Sequence, residues 1–388
     1  MSKPRAKRGN GECTVRKRTD GRWEGRYQDA LTGKLKSVYR KTQKEVLKLL
    51  EEKTKEYNIG KISSGQQPTL EQWVQIWLER YNGNIKPLTL ASYRRILKNH
   101  ILPEFKGKKL IELRTDDLQD FYSNLSEVKH LSPKTIKNIH GVFHKLLNRA
   151  KIIGYIKANI ADDVVLPRVE KPSISYLEDD LITAFVTEAK KDKFSAVFLI
   201  TLFTGMRQSE VLGLTWDRVD FKRGVILISK QLLKIDDGNG TYYCMAPTKS
   251  DKERMIAPAQ FVFHILQDVF QKQLQAKKNK GNMWQATGEF RNLVFTNDDG
   301  RHLSHCTVYK HCKSILSRIG MPQSRFHDLR HSYAVLSLQN GDDIKTVQEN
   351  LGHYSSAFTL DTYTHMTKRM QYESATRMDN YISKNIFS

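Results

Sequence analysis

Alternating apolar and polar residues near the start of the chain predict a small sheet. Strands are expected at 14–18, 23–27 and 35–40, with an Asp-Gly turn between the first two. A helix is expected from 42 to about 57, because its valine and leucine residues recur mostly on one side. One helix covers only one face of a three-stranded sheet, so the other face should remain available for a partner.

The residues that follow show helical spacing instead. Four amphipathic helices are predicted, each beginning at a residue that can cap a helix or open its first turn. Glycine and serine residues at 58–67 and prolines within 161–175 indicate linkers on both sides of this region. The expected first residues of the four helices are Thr69, Thr89, Thr115 and Ser132.

The last part of the chain mixes long apolar runs with strand patterns. The run at 194–203 is apolar almost throughout and predicts a buried helix, and strands are expected at 224–230 and 242–246. Another helix should begin near Asp343 and stop at Gly352. We therefore predict a multidomain α+β protein with three domains: a small three-stranded sheet plus helix at 1–65, a four-to-five-helix bundle at 66–172, and a mostly α domain with a small antiparallel sheet at 173–388.

The chain also carries a large excess of positive charge. Its 388 residues include 64 Lys and Arg against 42 Asp and Glu, a formal net charge of +22. Residues 1–65 hold 18 basic and 8 acidic side chains, residues 66–172 hold 18 and 11, and the rest hold 28 and 23. A globular chain this basic calls for a polyanionic partner, either nucleic acid or an anionic membrane surface.

The sequence favours nucleic acid over a membrane. No stretch approaches the ~20 apolar residues of a spanning helix. The first residues are basic and are not followed by the apolar region of a secretory signal. Four cysteines are too few for a disulfide framework in a chain of this size. We expect a cytoplasmic, DNA-associated protein.

Basic residues on exposed faces are the candidates for contact with DNA. A sheet of this width can enter a DNA major groove. The alternative is that these side chains only keep the surface hydrated. On or beside the uncovered sheet face the candidates are Arg16, Arg18, Arg22, Arg26 and Arg40. On the outward faces of the predicted helices they are Arg94, Arg95, Lys98, Lys134 and Lys137.

Two common kinds of enzymatic site are missing from the sequence. It contains no Gly-x-x-x-x-Gly-Lys-Ser/Thr phosphate loop. The pairs His305-Cys306 and His311-Cys312 lack the usual spacing of about two to four residues between zinc ligands, and they predict a helix whose thiols pack inside. We therefore expect no metal and no cofactor, although spacing alone leaves open a nuclease built from separated carboxylates.

Six residues that could perform chemistry follow one another along the last domain. Taken singly, each has an ordinary structural explanation. Arg207 could simply pair with Glu210 one helical turn later, which would orient or balance it, and Lys249 could be an exposed lysine on a turn between two strands. His-x-x-Arg also arises by chance in a basic chain. In order along the chain the six are Arg207, Lys249, His327, Arg330, His353 and Tyr363.

Together these residues resemble the tyrosine recombinase family, also called phage-type integrases. The matching words are Thr-Gly-Met-Arg-Gln-Ser-Glu at 204–210, Phe-His-Asp-Leu-Arg-His-Ser-Tyr at 326–333, Leu-Gly-His at 351–353 and Tyr-Thr-His at 363–365. The resemblance extends from about residue 69 to 370. The layout with a β-rich first domain is most similar to integrases of conjugative transposons.

The resemblance implies that DNA is cleaved and rejoined through a 3′-phosphotyrosyl intermediate, for integration and excision of a mobile element. Tyr363 would attack the phosphodiester, while Arg207 and Arg330 would neutralise the phosphoryl oxygens. Lys249 would protonate the departing 5′-oxygen. Because the energy of the broken bond is kept in the phosphotyrosyl bond, ATP is not required. The residues implied to support the phosphate and to assist proton movement are His327 and His353.

The resemblance also implies partners. Strand exchange needs two DNA sites with two protomers on each, so the active form should be a homotetramer on double-stranded DNA at the element ends and target sites. An excisionase or a DNA-bending accessory protein is expected as well, in a bacterial cytoplasm. Two alternatives remain: a type IB topoisomerase-like enzyme that reseals one strand without exchange, and a non-catalytic DNA-binding protein.

Overall fold

A computed structural model of the protein divides the chain into two compact units, Met1–Glu170 and Lys171–Ser388. The first unit holds a small sheet and a set of helices, and the second holds further helices and two small sheets. The residues that the structure describes are 15–28, 35–50, 67–170, 175–236, 238, 240–352 and 367–386.

The predicted three-stranded sheet is confirmed. Strands β1 (Val15–Lys17), β2 (Trp23–Gln28) and β3 (Leu35–Arg40) are antiparallel, with β2 in the centre. Helix α1 is described over 43–50, which is the first part of the predicted 42–57. It packs directly on the backbone of β2, since a Cβ atom added to Gly25 would lie 2.5 Å from a methyl carbon of Val46. We refer to the opposite face of the sheet, which α1 does not cover, as the uncovered face.

Four helices follow in the first unit, one for each predicted capping residue. The Thr69 capping box is confirmed, because Thr69 Oγ1 accepts from the Gln72 backbone at 3.3 Å and Gln72 Oε1 accepts from the Thr69 backbone at 3.0 Å. The apolar sides of the helices share one core that includes Trp73, Trp77 and Phe143. The helices are α2 (Leu70–Arg80), α3 (Pro87–Ile96, continued by Leu97–Ile101 and Leu102–Glu104), α4 (Thr115–Glu127) and α5 (Pro133–Ile152).

The start of α3 corrects one prediction. The helix begins at Pro87 with Lys86 as its N-cap, two residues before the expected Thr89. Proline is favoured at the first helical position because its φ angle is already helical and its missing N–H would have no partner there. The Lys86 carbonyl accepts from the Thr89 and Leu90 backbone N–H groups at 2.9 and 3.1 Å, which makes Thr89 part of the first turn.

The second unit contains two small antiparallel sheets. One has the order β4 (Val219–Asp220), β5 (Val225–Ile228) and β8 (Arg254–Ile256), and the other is a hairpin of β6 (Lys230–Asp236) and β7 (Thr241–Pro247). Strand β6 lies in a stretch that was not predicted as a strand. Its buried side chains do not alternate strictly, so strand periodicity alone does not identify it.

Several helices of the second unit pack around a large apolar core. The predicted helix at 194–203 is α7, which is buried over most of its length and ends at Gly205 with φ +65°. The predicted stop at Gly352 is also confirmed, with φ +63°. The helices are α6 (Asp179–Ala189), α7 (Ser195–Thr204), α8 (Gln208–Leu212), α9 (Gln260–Lys280), α10 (His305–Arg318), α11 (Phe326–Gln339), α12 (Ile344–Leu351) and α13 (Thr367–Asn385).

Helix α10 tests the interpretation of its histidine-cysteine pairs. Cys312 is fully buried, whereas Cys306 is exposed, so the expectation that both thiols pack inside is right only for Cys312. In the described part of the chain, no group of three or more His, Cys, Asp or Glu side chains is placed to hold a metal ion. None of the helices searched there is long and apolar enough to cross a membrane.

Candidate active site

The junction between α7 and α8 places Arg207. Gly205 adopts a left-handed conformation and turns the chain sharply, and a Cβ atom at this position would lie 2.5 Å from the ring of Tyr333. Arg207 then becomes the N-cap residue of α8. Glu210 Oε2 accepts from the Arg207 backbone N–H at 3.0 Å, and Glu210 Oε1 accepts from the Arg207 guanidinium at 2.7 Å. The predicted pairing of Glu210 with Arg207 is therefore present.

The N-terminal part of α11 places His327 and Arg330. The helix begins at Phe326 because the Asp328 carboxylate accepts from the Arg325 backbone N–H at 2.8 Å. Arg330 is 1% exposed and donates to the carbonyl of Gly205 at 2.6 Å. This bond brings the guanidinium of Arg330 to the same junction that holds Arg207.

The C-terminal end of α12 gathers three arginines. The last carbonyls of a helix carry partial negative charge and have no partner inside the helix. Here three consecutive carbonyls each accept from a different guanidinium. Arg254 donates to Asn350 at 2.8 Å, Arg330 donates to Leu351, and Arg207 donates to Gly352 at 3.2 Å. Residue 353, the predicted catalytic histidine, follows this end directly.

The ionisation state of His327 follows from its surroundings. The pKa of His327 falls to about 4, mainly because the ring is buried, and the neighbouring His331 and the positive charges of Arg330 and Arg207 act in the same direction. The His327 and His331 rings meet edge to face, with centroids 5.0 Å apart. His327 is thus a neutral imidazole near pH 7, in a state that can accept a proton.

Glu210 is the buried anion of the site. Its side chain is fully buried and contacts two arginines. Besides Arg207, Arg254 donates to the two carboxylate oxygens at 3.1 and 2.6 Å. Burial alone would raise the pKa of Glu210, but the Arg254 hydrogen bonds and the charges of Arg254 and Arg207 outweigh it and lower the pKa to about 2. The carboxylate therefore stays ionised and holds both guanidinium groups.

Lys249 lies on an exposed turn, as predicted, but not on a hairpin. The strands on either side belong to different sheets, because β7 pairs with β6 and β8 pairs with β5. The turn is closed by its own residues. The buried Thr248 donates its hydroxyl to the Lys252 carbonyl at 2.8 Å and accepts at its own carbonyl from the Asp251 N–H at 3.0 Å. These bonds give the Lys249 backbone a defined course between the two sheets.

Two of the six predicted catalytic residues, His353 and Tyr363, lie outside the described residues. Sequence reasoning missed Arg254, which contacts Glu210 and the end of α12. A signal for it exists in the sequence. Arg254 shares a face of a short strand with the apolar Ile256, which is 3% exposed, and an arginine on a buried face requires an acidic partner.

The basic residues predicted on the sheet mostly share its uncovered face. The strand register places Arg16 opposite Glu24 and Ser37 opposite Arg26, on the face away from Gly25 and α1. Arg18 stacks on Tyr39 of the same face, with its guanidinium carbon 5.2 Å from the ring centre.

Arg22 and Arg40 differ from the other three sheet arginines. Arg22 donates to Asp20 in the turn at 2.9 Å. Arg40 ends β3 opposite Trp23, in register with the covered face. The candidates predicted on the helices are all exposed: Arg94, Arg95, Lys98, Lys134 and Lys137.

A buried acid anchors the uncovered face of the sheet. Glu24 is 2% exposed, and its carboxylate accepts from Arg16 at 2.7 Å, from Arg26 at 3.2 Å and from the Ser37 hydroxyl at 3.1 Å. The hydrogen bond from Arg16 is the main reason that the pKa of Glu24 falls to about 2, despite the opposing effect of burial. The arginines of this face are thus fixed at their inner ends.

In the second unit, Arg207, Arg330 and the neutral His327 lie together, and such a set of groups suits phosphoryl transfer. Comparison with known proteins agrees. The phage integrase family matches residues 176–370, and the SAM-like N-terminal domain of phage integrases matches residues 69–126. A tyrosine recombinase XerC-like protein of Caldanaerobacter subterraneus subsp. tengcongensis is 30% identical over 360 residues, covering 87% of this chain and 90% of that protein.

Solved structures show the same fold. The Tn1549 transposon integrase in complex with transposon right end DNA superposes with a TM-score of 0.64 at 22% identity, covering 79% of this chain and 98% of that chain. A lambda integrase tetramer bound to a Holliday junction has a TM-score of 0.54 at 18% identity and covers 88% of this chain and 96% of that chain.

The chain belongs to the phage integrase family of tyrosine recombinases. It is an enzyme of site-specific DNA strand cleavage and rejoining, and its relatives include integrases of mobile elements.

Proposed function

We propose that this protein integrates and excises a mobile genetic element by cleaving double-stranded DNA with Tyr363. The observation that carries the proposal is the convergence of Arg207 and Arg330 on the last carbonyls of α12, with His327 beside them. Two fixed cations and a neutral imidazole form a receptor for a phosphodiester, and the chain continues from this point directly to His353.

The reaction keeps the energy of the broken phosphodiester bond in a phosphotyrosyl bond. The phenolic oxygen of Tyr363 attacks the scissile phosphorus and forms a 3′-phosphotyrosyl bond, while the bond from phosphorus to the 5′-oxygen breaks. The Tyr363 proton passes to His327, and the 5′-oxygen takes a proton from Lys249. Attack of another 5′-hydroxyl reverses these steps and joins a new strand. Neither ATP nor a metal ion takes part in these steps.

The arginines stabilise the negative charge that develops on the phosphoryl oxygens. Each guanidinium of Arg207 and Arg330 presents a planar donor edge that suits two oxygens at once. Removal of one such donor should cost about 3 kcal/mol of transition-state stabilisation. The bound phosphate also offsets the arginine charges that lower the pKa of His327, so the imidazole becomes a stronger base when DNA is present.

The remaining regions bind DNA in this proposal. Residues 1–65 bind arm-type sites through the uncovered sheet face, 66–172 hold the core site, and 173–388 catalyse. The arginine-lined face and the division of the chain at residue 170 support this assignment. The active form is a homotetramer, by analogy with the lambda integrase tetramer. An excisionase or a DNA-bending protein assists it in the bacterial cytoplasm.

The Tyr363→Phe variant tests the nucleophile. On a nicked suicide substrate carrying the element end, the natural protein should accumulate a covalent adduct that survives denaturation, and the variant should form none while binding DNA with unchanged affinity. Tyr381→Phe is the matched control, because Tyr381 is 60% exposed on α13. Adduct formation by Tyr363→Phe would refute the assignment, and so would its loss in the control.

A further inference from the structure

We propose that Arg254 is a positioning residue for the cleavage reaction and that it acts through Lys249. This inference rests on the proposed function. Arg254 begins β8, five residues after Lys249, and its side chain is 11% exposed. It uses the full fork of its guanidinium group, with two bonds to the oxygens of Glu210 and one to the Asn350 carbonyl. Such bidentate, charge-assisted bonds define orientation as well as distance.

The three bonds of Arg254 connect separate parts of the site. Glu210 belongs to α8 and holds Arg207 through the backbone and the side chain. Asn350 lies at the end of α12, next to the carbonyls bound by Arg330 and Arg207. Strand β8 continues from the turn that carries Lys249. One side chain therefore joins the Lys249 segment to the elements that hold the two phosphate-binding arginines.

The side chain of Arg254 is closely packed, which leaves little room for another conformation. Gly352 packs against it, and a Cβ atom on Gly352 would lie 3.0 Å from Cδ and 3.1 Å from Nη1 of Arg254. Gly352 also has a φ angle of +63°, which favours glycine independently of this contact. The backbone that leads to residue 353 thus approaches Arg254 as closely as a residue without a side chain permits.

We expect the loss of Arg254 to affect Lys249 more than Arg207. Without Arg254, Arg207 would keep its bonds to Glu210 and Gly352, and the end of α12 would keep Arg330. The Lys249 turn is held by its internal bonds and by the pairing of β8 with β5, and Arg254 adds the side-chain link from β8 to Glu210 and the end of α12. A lysine displaced by about 1 Å from a leaving group loses much of its effect, since misplacement of this size costs up to about 10²-fold in rate.

A double-mutant cycle tests the inference on the full chain. Single-turnover cleavage of a suicide DNA substrate is measured for Arg254→Gln, Lys249→Gln and the double variant. Each single variant should slow cleavage by about 10- to 100-fold, and the double variant should be no slower than Lys249→Gln alone. DNA affinity should be unchanged. Effects that multiply in the double variant, or normal cleavage by Arg254→Gln, would overturn the proposal.

A substrate with sulfur in place of the bridging 5′-oxygen separates this inference from the role of Lys249 itself. A thiolate leaves without protonation, so this substrate should restore cleavage by Arg254→Gln and Lys249→Gln to a similar degree. If it restores neither while the double-mutant cycle still shows coupling, the acid role of Lys249 fails and the positioning role of Arg254 stands. If it restores only Lys249→Gln, Arg254 acts elsewhere and the inference fails.

Folding and charge are controlled with further variants. Arg254→Lys keeps a cation beside Glu210 but lacks the planar fork, so it should fold and still show the cleavage defect. If it cleaves normally, the charge rather than the geometry of Arg254 matters and positioning is refuted. Arg223→Gln removes an 83% exposed arginine of the same unit, and its cleavage rate should match that of the natural protein.

Discussion

Two buried carboxylates in this protein each hold a pair of arginines, and the two clusters differ in the exposure of those arginines. In the N-terminal sheet, Glu24 holds Arg16 and Arg26, whose side chains are 61% and 51% exposed. In the catalytic unit, Glu210 holds Arg207 and Arg254, which are 22% and 11% exposed. The acids are similarly buried and both have a pKa of about 2.

Under the proposed function, this difference separates a surface for binding DNA from a framework for catalysis. The exposed guanidinium groups contact Glu24 on their inner side and water on their outer side, so their outer donors are open to a DNA phosphate. Buried guanidinium groups cannot turn away without leaving a carboxylate unpaired in a poorly hydrated place, so their positions are fixed before DNA arrives. The same pair of residue types thus forms an exposed cluster in one region and a buried, fixed cluster in the other.

The largest expected effect comes from neutralising the two acids. Glu210→Gln should destabilise the catalytic unit by about 3–5 kcal/mol, because it leaves Arg254 and Arg207 without their counter-charge in a buried site. Glu24→Gln should cost less, since its arginines are more than half exposed and reach water. Thermal unfolding of the two variants measures the contrast, and equal shifts in melting temperature would remove the distinction between the clusters.

The second largest expected effect is that acidification destabilises the two regions in different pH ranges. The folded pKa of His327 is about 4, below its ordinary 6.5, so between these values the unfolded chain binds more protons. The stability that neutral His327 contributes is therefore complete above about pH 6.5 and is lost as the pH falls toward 4. The N-terminal sheet has no histidine, and Glu24 loses its contribution only as the pH falls from 4.5 toward 2.

Hydrogen exchange of peptides at 15–28 and 326–339, corrected for its intrinsic pH dependence, measures this order. Protection of α11 should decline at a higher pH than protection of the sheet. His327→Gln serves as the control and should shift the α11 transition toward lower pH, because glutamine does not titrate. Simultaneous loss of protection in both peptides would contradict the assignment of His327 as a buried neutral group.

The smallest expected effect concerns salt. If Arg16 neutralises one phosphate of an arm-type site, Arg16→Gln should lower the slope of log affinity against log salt concentration by about 0.9. Arg254→Gln should leave the slope unchanged, because Arg254 is occupied by Glu210 and Asn350. Binding titrations over a range of salt concentrations decide this. An unchanged slope for Arg16→Gln would show that the sheet arginines do not contact phosphate.

Local features of the chain were predictable because their causes are local. The capping box at Thr69 and the glycine stops at 205 and 352 involve neighbours within a few residues, and the sequence identifies them correctly. The predicted start of α3 is two residues late, because threonine is a common capping residue and Thr89 was chosen over Pro87. The helix begins at Pro87, whose φ angle already suits the first helical position. Strand β6 was missed because its pairing with β7, rather than its own periodicity, defines it.

The sequence by itself determined the class of this protein, because the order Arg, Lys, His-x-x-Arg, His, Tyr and the words around these residues match the tyrosine recombinase family. Only the tertiary structure decided how these groups are held. The bonds from Arg254 to Glu210, Arg330 to Gly205 and Arg207 to Gly352 join residues 44, 125 and 145 positions apart. No local pattern specifies such partners, because burial and charge pairing arise only when distant segments pack together.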